Sequence, residues 1–295
     1  MINFNKFYKI FNIISFILML SSILLLSIKG LNFGVDFKGG TLIELRTTDN
    51  EINVTTLRKS FNKMNLGDVN VKKFGKDNDY LIKFEKKDIK PNTIEKIKID
   101  LTNLIGDTFN FRRVENVGPK VSSELLKSGM IAILVSLAAM LFYIWIRFEW
   151  QFSLGAILAL FHDIIITLGF FSLFSLEINL SIVAAVLTIV GYSMNDTVVI
   201  FDRVRENLRK FSDIKIYELT NISINETLSR TIITSVTTLL ALLSIYIFGG
   251  EILKGFSLAM ILGVIFGTYS SIYIANPVLV RLRVSQKTII KEDTD

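Results

Sequence analysis

Apolar residues gather in six long runs, 10–28, 128–146, 152–176, 178–201, 231–250 and 255–280, with charged segments between them. Each holds about 19 to 26 residues, enough to cross a hydrocarbon core of about 30 Å at 1.5 Å of rise per residue. The first run follows Lys6 and Lys9 and so begins like a secretory signal. It is longer than the usual apolar region of about 7 to 15 residues and no A-x-A-like cleavage site follows it, so the pattern predicts an uncleaved first transmembrane helix. The chain reads as an α-helical polytopic membrane protein with six transmembrane helices.

Between the first two runs the pattern changes period. Residues 41–47 alternate as a strand, and 54–66 carry the helical spacing Leu57, Phe61, Met64. Residues 69–74 and 80–84 flank a turn-rich Gly75-Lys76-Asp77-Asn78-Asp79, which predicts a hairpin. Pro91 opens a second helix to residue 104, and 109–114 alternate again. The order βαββαβ predicts an inserted α+β ferredoxin-like domain between helices 1 and 2. The expected boundaries are 1–29 for the N-terminus and first helix, 30–127 for the inserted domain, 128–280 for a five-helix bundle and 281–295 for a tail. Residues 202–225 are charged and partly amphipathic (Val204, Leu208, Phe211), which suits a helix lying along the membrane surface or a solvated loop.

Charge sets the orientation. Lys6, Lys9, Arg147, the cluster Arg203 to Lys215 and the cluster Arg281 to Lys291 fall on one side, whereas the other short loops hold only Lys254. Basic residues retain loops in the cytoplasm, so both termini are expected cytoplasmic and residues of about 30–127 outside. The net charge of +6 is accounted for by this topology, and no nucleic acid is expected as a partner. Composition narrows the chemistry further. A hydrophobic content of 51% agrees with a lipid solvent, zero cysteines exclude a disulfide framework or a thiolate nucleophile, and one histidine argues against a His-rich metal site. Gly34-Val35-Asp36-Phe37-Lys38-Gly39-Gly40-Thr41 lacks the Gly-Lys-Ser/Thr of a phosphate loop and reads as a bend from helix into strand. No enzyme activity, cofactor or metal is expected.

Ionisable groups within the apolar runs are the candidate functional residues. Asp196 lies roughly 24 Å along the fourth span at 1.5 Å per residue, and Arg230 stands at the edge of the fifth, at the same depth. Antiparallel neighbours bring the two within reach of an ion pair. Asp196, beside Asn195, Thr197 and Ser193, is either a hydrogen-bonding group of the bundle or a titratable carboxylate that loads and releases a proton as its distance to Arg230 changes. Arg230 is either that partner or an interfacial anchor. His162 and Asp163, adjacent in the third span, are equally a structural contact or a relay station. Gly263 with Gly267, and Gly155 with Ala159, mark close helix packing.

Three stretches carry a resemblance over essentially the whole chain: Gly34 to Thr41, Val117-Gly118-Pro119-Lys120-Val121 with Glu124-Leu125, and Gly191-Tyr192-Ser193-Met194-Asn195-Asp196-Thr197-Val198-Val199-Ile200-Phe201-Asp202-Arg203-Val204-Arg205-Glu206-Asn207. Ser229-Arg230-Thr231, continuing through Thr234 to Thr238, is a fourth. With these the chain resembles the SecF family, part of the RND-related SecD/SecF group, and departs from it at Ser122-Ser123, where a glycine is common. The resemblance implies a protein-transport subunit of the bacterial inner membrane with a periplasmic ferredoxin-like domain, working with SecD and the SecYEG channel on a translocating preprotein, with YajC as a further candidate partner. It implies that Asp196 and Arg230 couple the proton-motive force to late translocation steps; from their place in the spans, Asn195, Thr197, Asp163 and His162 are candidates for relay or polar support. Asp36, Gly39, Gly40, Gly118 and Pro119 are the expected hinges. An RND-like exporter of small hydrophobic molecules and a non-catalytic translocon assembly subunit are the competing readings.

Overall fold

Where apolar runs continue past their charged ends without a helix breaker, the helices continue too. In the computed structural model, which describes residues 1–48, 52–67, 69–73, 78–84, 91–211 and 214–289, the principal helices are α1 (Tyr8–Ile28), α2 (Val54–Asn62), α3 (Pro91–Ile105), α4 (Pro119–Arg147), α5 (Trp150–Leu173), α6 (Leu180–Lys210), α7 (Ile216–Phe248), α8 (Glu251–Ser270) and α9 (Asn276–Arg281). Among the described residues six stretches are long and apolar enough to cross a membrane: Asn5–Ile28, Lys120–Arg147, Trp150–Leu173, Leu180–Lys210, Ile216–Phe248 and Leu253–Arg281. The chain divides into two units, residues 1–32, 131–177 and 181–295 in one, and 33–130 with 178–180 in the other.

In the helical unit, α5, α6 and α8 are the most buried, and α1, α4 and α7 keep broad apolar faces exposed (Phe16, Leu134 and Leu240 among them). The expected surface helix over 202–225 does not exist. Instead α6 runs on to Lys210, and α7 begins at Ile216. Val204 and Leu208 extend the buried stripe of Ile200 and Phe201 at helical spacing, so nothing ends the helix there. The opposite face is laced by ion pairs: Arg203 to Glu226 at 2.7 Å, Arg147 to Asp202 at 2.8 Å and Arg205 to Glu149 at 3.1 Å.

The sixth span is not one α-helix either. Between α8 and α9 lies a π-helical turn, Ser271–Ala275. Pro277 has no N–H to give the carbonyl four residues back, and the wider turn accommodates that loss. Asn276 Nδ2 donates to the Ser271 carbonyl at 2.7 Å.

The glycine pair expected to mark close packing does so within the chain. A Cβ on Gly263 would fall 2.3 Å from Ile189 Cγ1, and one on Gly267 would fall 3.1 Å from Cα of Ser193, so α8 lies directly on α6. Gly155 likewise faces the carbonyl of Ala275.

The second unit holds a four-stranded antiparallel sheet of β1 (Gly40–Thr47), β2 (Val69–Lys73), β3 (Asp79–Phe84) and β4 (Phe109–Val117), in the order β2-β3-β1-β4. Alternation sends Ile43, Leu45, Tyr80 and Ile82 into a core completed by Leu57 and Phe61 of α2 and Leu101 of α3. Register is fixed by Ile43 opposite Ile82 and Leu45 opposite Tyr80, and a bulge falls between Glu44 and Leu45 on the β4 side. The Asn53 side chain accepts the Thr56 N–H and starts α2. The helix ends at Asn62, short of the expected residue 66, because Asn65 (φ 51) and Gly67 (φ 88) turn the chain left-handed. Residues 75–77 of the expected hairpin turn lie outside the described residues. At its far side Arg46 pairs with Asp79 through Nε–Oδ1 at 2.5 Å and Nη2–Oδ2 at 2.7 Å, and that carboxylate holds the guanidinium above its ordinary value.

Replacing Gly263 by Val is expected to lower the stability of the purified protein by about 1–3 kcal/mol through overpacking against Ile189. Gly191→Ala, where a Cβ meets open space, is expected to be neutral or to raise stability by up to about 1 kcal/mol. Thermal unfolding in detergent distinguishes the two.

Candidate functional site

Lipid offers no hydrogen-bond partners, so polar side chains of the spans have to be met by the protein. Asp163 on α5 is fully buried, and so is His162. His162 Nδ1 lies 2.8 Å from Asp163 Oδ1. The other oxygen, Oδ2, accepts Ser193 Oγ of α6 at 2.6 Å and Ser270 Oγ of α8 at 2.7 Å. One carboxyl thus ties three helices together. The His162 ring stacks on Tyr269 at 5.8 Å between centroids, and its Nε2 is buried with no partner among the described residues.

Asp196, one turn beyond Ser193 on α6, is also buried, at 3% exposure. Its environment is poorer. Thr268 Oγ1 of α8 donates to Oδ2 at 3.4 Å, and Thr268 is itself paired with Ser235 of α7 at 2.7 Å. Asp163 and Asp196 are therefore addressed by the same last turn of α8, through Ser270 and Thr268 respectively.

The expected ion pair between Asp196 and Arg230 is not formed. Arg230 is exposed and has no acidic partner within 4 Å among the described residues, although it is near enough to Asp196 to interact electrostatically. Thr231 and Ser235, one helical turn apart, are the α7 residues that face inward. Arg230 precedes Thr231 by one residue and so points about 100° away around the helix. Asn195 likewise lies on the exposed face of α6, away from Asp196, whereas Thr197 is buried and returns its hydroxyl to the Ser193 carbonyl at 3.3 Å.

The expected hinge residues fall at two joints. Gly118 alone separates β4 from α4, whose first residue is Pro119, and Ser122 Oγ donates back to the Gly118 carbonyl at 2.9 Å. Val35–Lys38 form a single helical turn, after which Gly39 (φ 78) and Gly40 (φ 128) adopt conformations closed to side chains with a Cβ. Asp36 is bound rather than free: its Oδ2 accepts the Leu180 N–H at 2.8 Å.

Sequence reasoning missed Thr268, Ser270 and Ser235 as members of the site. The available signal was the polar run Thr268-Tyr269-Ser270-Ser271 in an otherwise apolar span. Among the described residues no group of three or more His, Cys, Asp or Glu is placed to hold a metal.

These features define a multi-pass membrane protein with two unequal buried carboxyls in a helix bundle and a separately folded sheet unit. Residues 97–285 match the family model "Protein export membrane protein SecD/SecF, C-terminal", and residues 24–51 match "SecD/SecF GG Motif". The protein translocase subunit SecF of Rickettsia bellii is 47% identical over 279 residues, covering 94% of this chain and 92% of the relative. The corresponding subunit of Rickettsia prowazekii is 45% identical over 280 residues, covering 94% and 89%. The chain belongs to the SecD/SecF protein-export family. The crystal structure of SecDF, a translocon-associated membrane protein from Thermus thermophilus, superposes with a TM-score of 0.86 at 34% identity, covering 95% of this chain. A SecDF structure in a super-membrane-facing form gives 0.70 at 33% identity over the same share. The chain spans 38% of the length of each SecDF chain.

Removing the Asp163 carboxyl with Asp163→Leu strands two hydroxyls and an imidazole nitrogen in a dry core and is expected to cost about 2 kcal/mol or more. Asp163→Asn keeps one acceptor oxygen and is expected to cost less. Unfolding midpoints of the two variants against the parent check the order.

Proposed function

We propose that this chain works with a SecD-type subunit in the bacterial inner membrane, where the two use the proton-motive force to promote late steps of polypeptide passage through a SecYEG-type channel, with YajC as a candidate associate. In this reading both termini are cytoplasmic, and residues of about 30–127 form a ferredoxin-like module on the periplasmic side, a reading supported by the β2-β3-β1-β4 order of its sheet. The other segments in this reading are the N-terminus and first helix at 1–29, the five-helix bundle at 128–280 and the cytoplasmic tail at 281–295.

The observation that carries the mechanism is the inequality of the two carboxyls. Asp163 has short contacts on both oxygens, whereas Asp196 is met only by the hydroxyls of Thr268, at 3.4 Å, and Ser235, with a guanidinium nearby that it does not touch. An acid so weakly held is free to exchange partners. In the proposed cycle Asp196 takes a proton from the outer side while parted from Arg230, and releases it toward the cytoplasm when the guanidinium approaches. Asn195 and Arg230, on exposed faces, are placed to meet groups of the partner subunit. Thr197, His162 and Asp163 hold the surrounding helices in place.

Moving one elementary charge through 100 mV supplies about 2.3 kcal/mol, a roughly fiftyfold change in a two-state ratio. That suffices to bias the periplasmic module between two orientations about the joints at Gly39–Gly40 and Gly118–Pro119.

The Asp163 clasp favours one competing reading, in which the spans only stabilise an assembled translocon. Completion of preprotein export in vesicles carrying this protein and its partner tests both. Asp196→Asn and Arg230→Ala are expected to abolish the gradient-dependent part of the rate, leaving the level of vesicles without the pair. Unchanged gradient dependence in both variants would leave the assembly role standing and remove the coupling role.

A further inference from the structure

We propose that Asp36 is a positioning residue that latches the Gly-rich loop to the N-terminus of α6, so that the loop follows the first turn of the helix carrying Asp196 and, of the two joints, the one at Gly39–Gly40 bends beyond the latch. The inference rests on the coupling role of Asp196 proposed above and assigns the part that transmits it.

The first N–H groups of a helix have no acceptor within the helix and are usually met by a side chain close in sequence. At α6 the acceptor comes from far away. Leu180 opens the helix, and its N–H is taken by Asp36 Oδ2 at 2.8 Å, 144 residues earlier in the chain. A carboxylate at this position also faces the positive end of the helix dipole.

The loop is built to present that carboxyl. Gly34 donates its N–H to the Ile178 carbonyl at 2.8 Å, and the turn Val35–Lys38 is closed by Lys38 N–H to Gly34 O at 3.0 Å and Gly39 N–H to Val35 O at 2.9 Å. Phe37 is buried and packs edge-on against Phe33 at 5.9 Å. Two hydrogen bonds, one from the backbone of Gly34 and one to the side chain of Asp36, therefore bind residues 34–36 to residues 178–180. Those three residues accordingly belong to the sheet unit, while the rest of α6 belongs to the bundle.

From Leu180 the helix runs unbroken past Asp196, roughly 24 Å on at 1.5 Å per residue. A displacement of Asp196 along the helix axis is thereby delivered to the Gly-rich loop. The loop's stiff part ends at Lys38. Just beyond it Gly39 and Gly40, the latter the first residue of β1, adopt positive φ. Asp36 is thus the fixed side of the joint and not the pivot.

The chain contains no cysteine, so introduced thiols are unique within it, and a partner subunit free of cysteine is used. In the full protein with its partner subunit, amide hydrogen exchange at Leu180 and gradient-dependent export are measured for Asp36→Ala, for Asp36→Asn and for the pair Asp36→Cys with Leu180→Cys. Asp36→Ala is expected to speed exchange at Leu180 about five- to tenfold and to cut gradient-dependent export several-fold. Asp36→Asn, which keeps an acceptor oxygen, is expected to retain most of both. The reduced cysteine pair is expected to behave as Asp36→Ala, and joining it with a bifunctional thiol reagent to restore export. Unchanged exchange in Asp36→Ala, unchanged export despite faster exchange, or inhibition by the crosslink would each overturn the latch. Failure of the coupling reading shows separately, as Asp196→Asn vesicles that keep their gradient dependence while exchange at Leu180 still reports whether Asp36 holds the helix.

Discussion

A carboxyl group inside a helix bundle can be kept only if the bundle supplies its hydrogen bonds, and at Asp163 this demand fixes how three helices meet. Ser193 of α6 and Ser270 of α8 converge on the same oxygen, at 2.6 and 2.7 Å. For Ser270 to reach the oxygen that Ser193 already holds, α8 has to come close to α6, which it does at Gly267, where a Cβ would stand 3.1 Å from the backbone of Ser193. Ser270 follows Gly267 by three residues and also bonds its carbonyl at 3.2 Å. Glycine, two serines and aspartate are therefore one unit of structure. The close approach exists so that the hydroxyls can reach, and the hydroxyls make the burial of the acid tolerable.

Much of this architecture was legible in the pattern of residues, because hydropathy reports depth directly. The six apolar runs, the strands alternating at 41–47, 80–84 and 109–114, and the presence of Asp163 and Asp196 within spans all follow from one-dimensional periodicity. Azimuth does not. Counting rise per residue says nothing of which way a side chain faces: the face of α7 turned inward is that of Thr231 and Ser235, and Arg230 points elsewhere. Asn195 likewise lies on the exposed face of α6. Helix ends were misjudged where charge was taken as a stop: the residues from Asp202 to Lys210 are charged on one face only, and the buried stripe through Val204 and Leu208 carries α6 on.

The hydroxyl partners were silent for a different reason. Serine and threonine in a helix can return the hydroxyl to a carbonyl of the preceding turn, as Thr188 does to Ala184 at 2.8 Å and Ser257 to Leu253 at 2.6 Å. A hydroxyl that reaches across to a neighbouring helix, as Ser193 and Ser270 do, looks identical in sequence. Only the packing decides which use is made, and the packing is a property of the whole bundle.

The position of the site along α8 completes the argument. Thr268 and Ser270 occupy its last turn, immediately before the π-helical turn that Pro277 enforces. Such a turn is a place where backbone hydrogen bonds can change partners at low cost, since the ladder is already interrupted. One end of the grip is firm, because Ser270 is locked to an acid with short contacts on both oxygens. The other is loose, because Thr268 reaches Asp196 only at 3.4 Å and is shared with Ser235. A change in what Asp196 binds would thus be felt first at Thr268 and Ser235, on two helices, while Asp163 keeps α5, α6 and α8 from separating. The two carboxyls thus differ in how firmly the bundle holds them, Asp163 through short contacts on both oxygens and Asp196 through a hydroxyl at 3.4 Å.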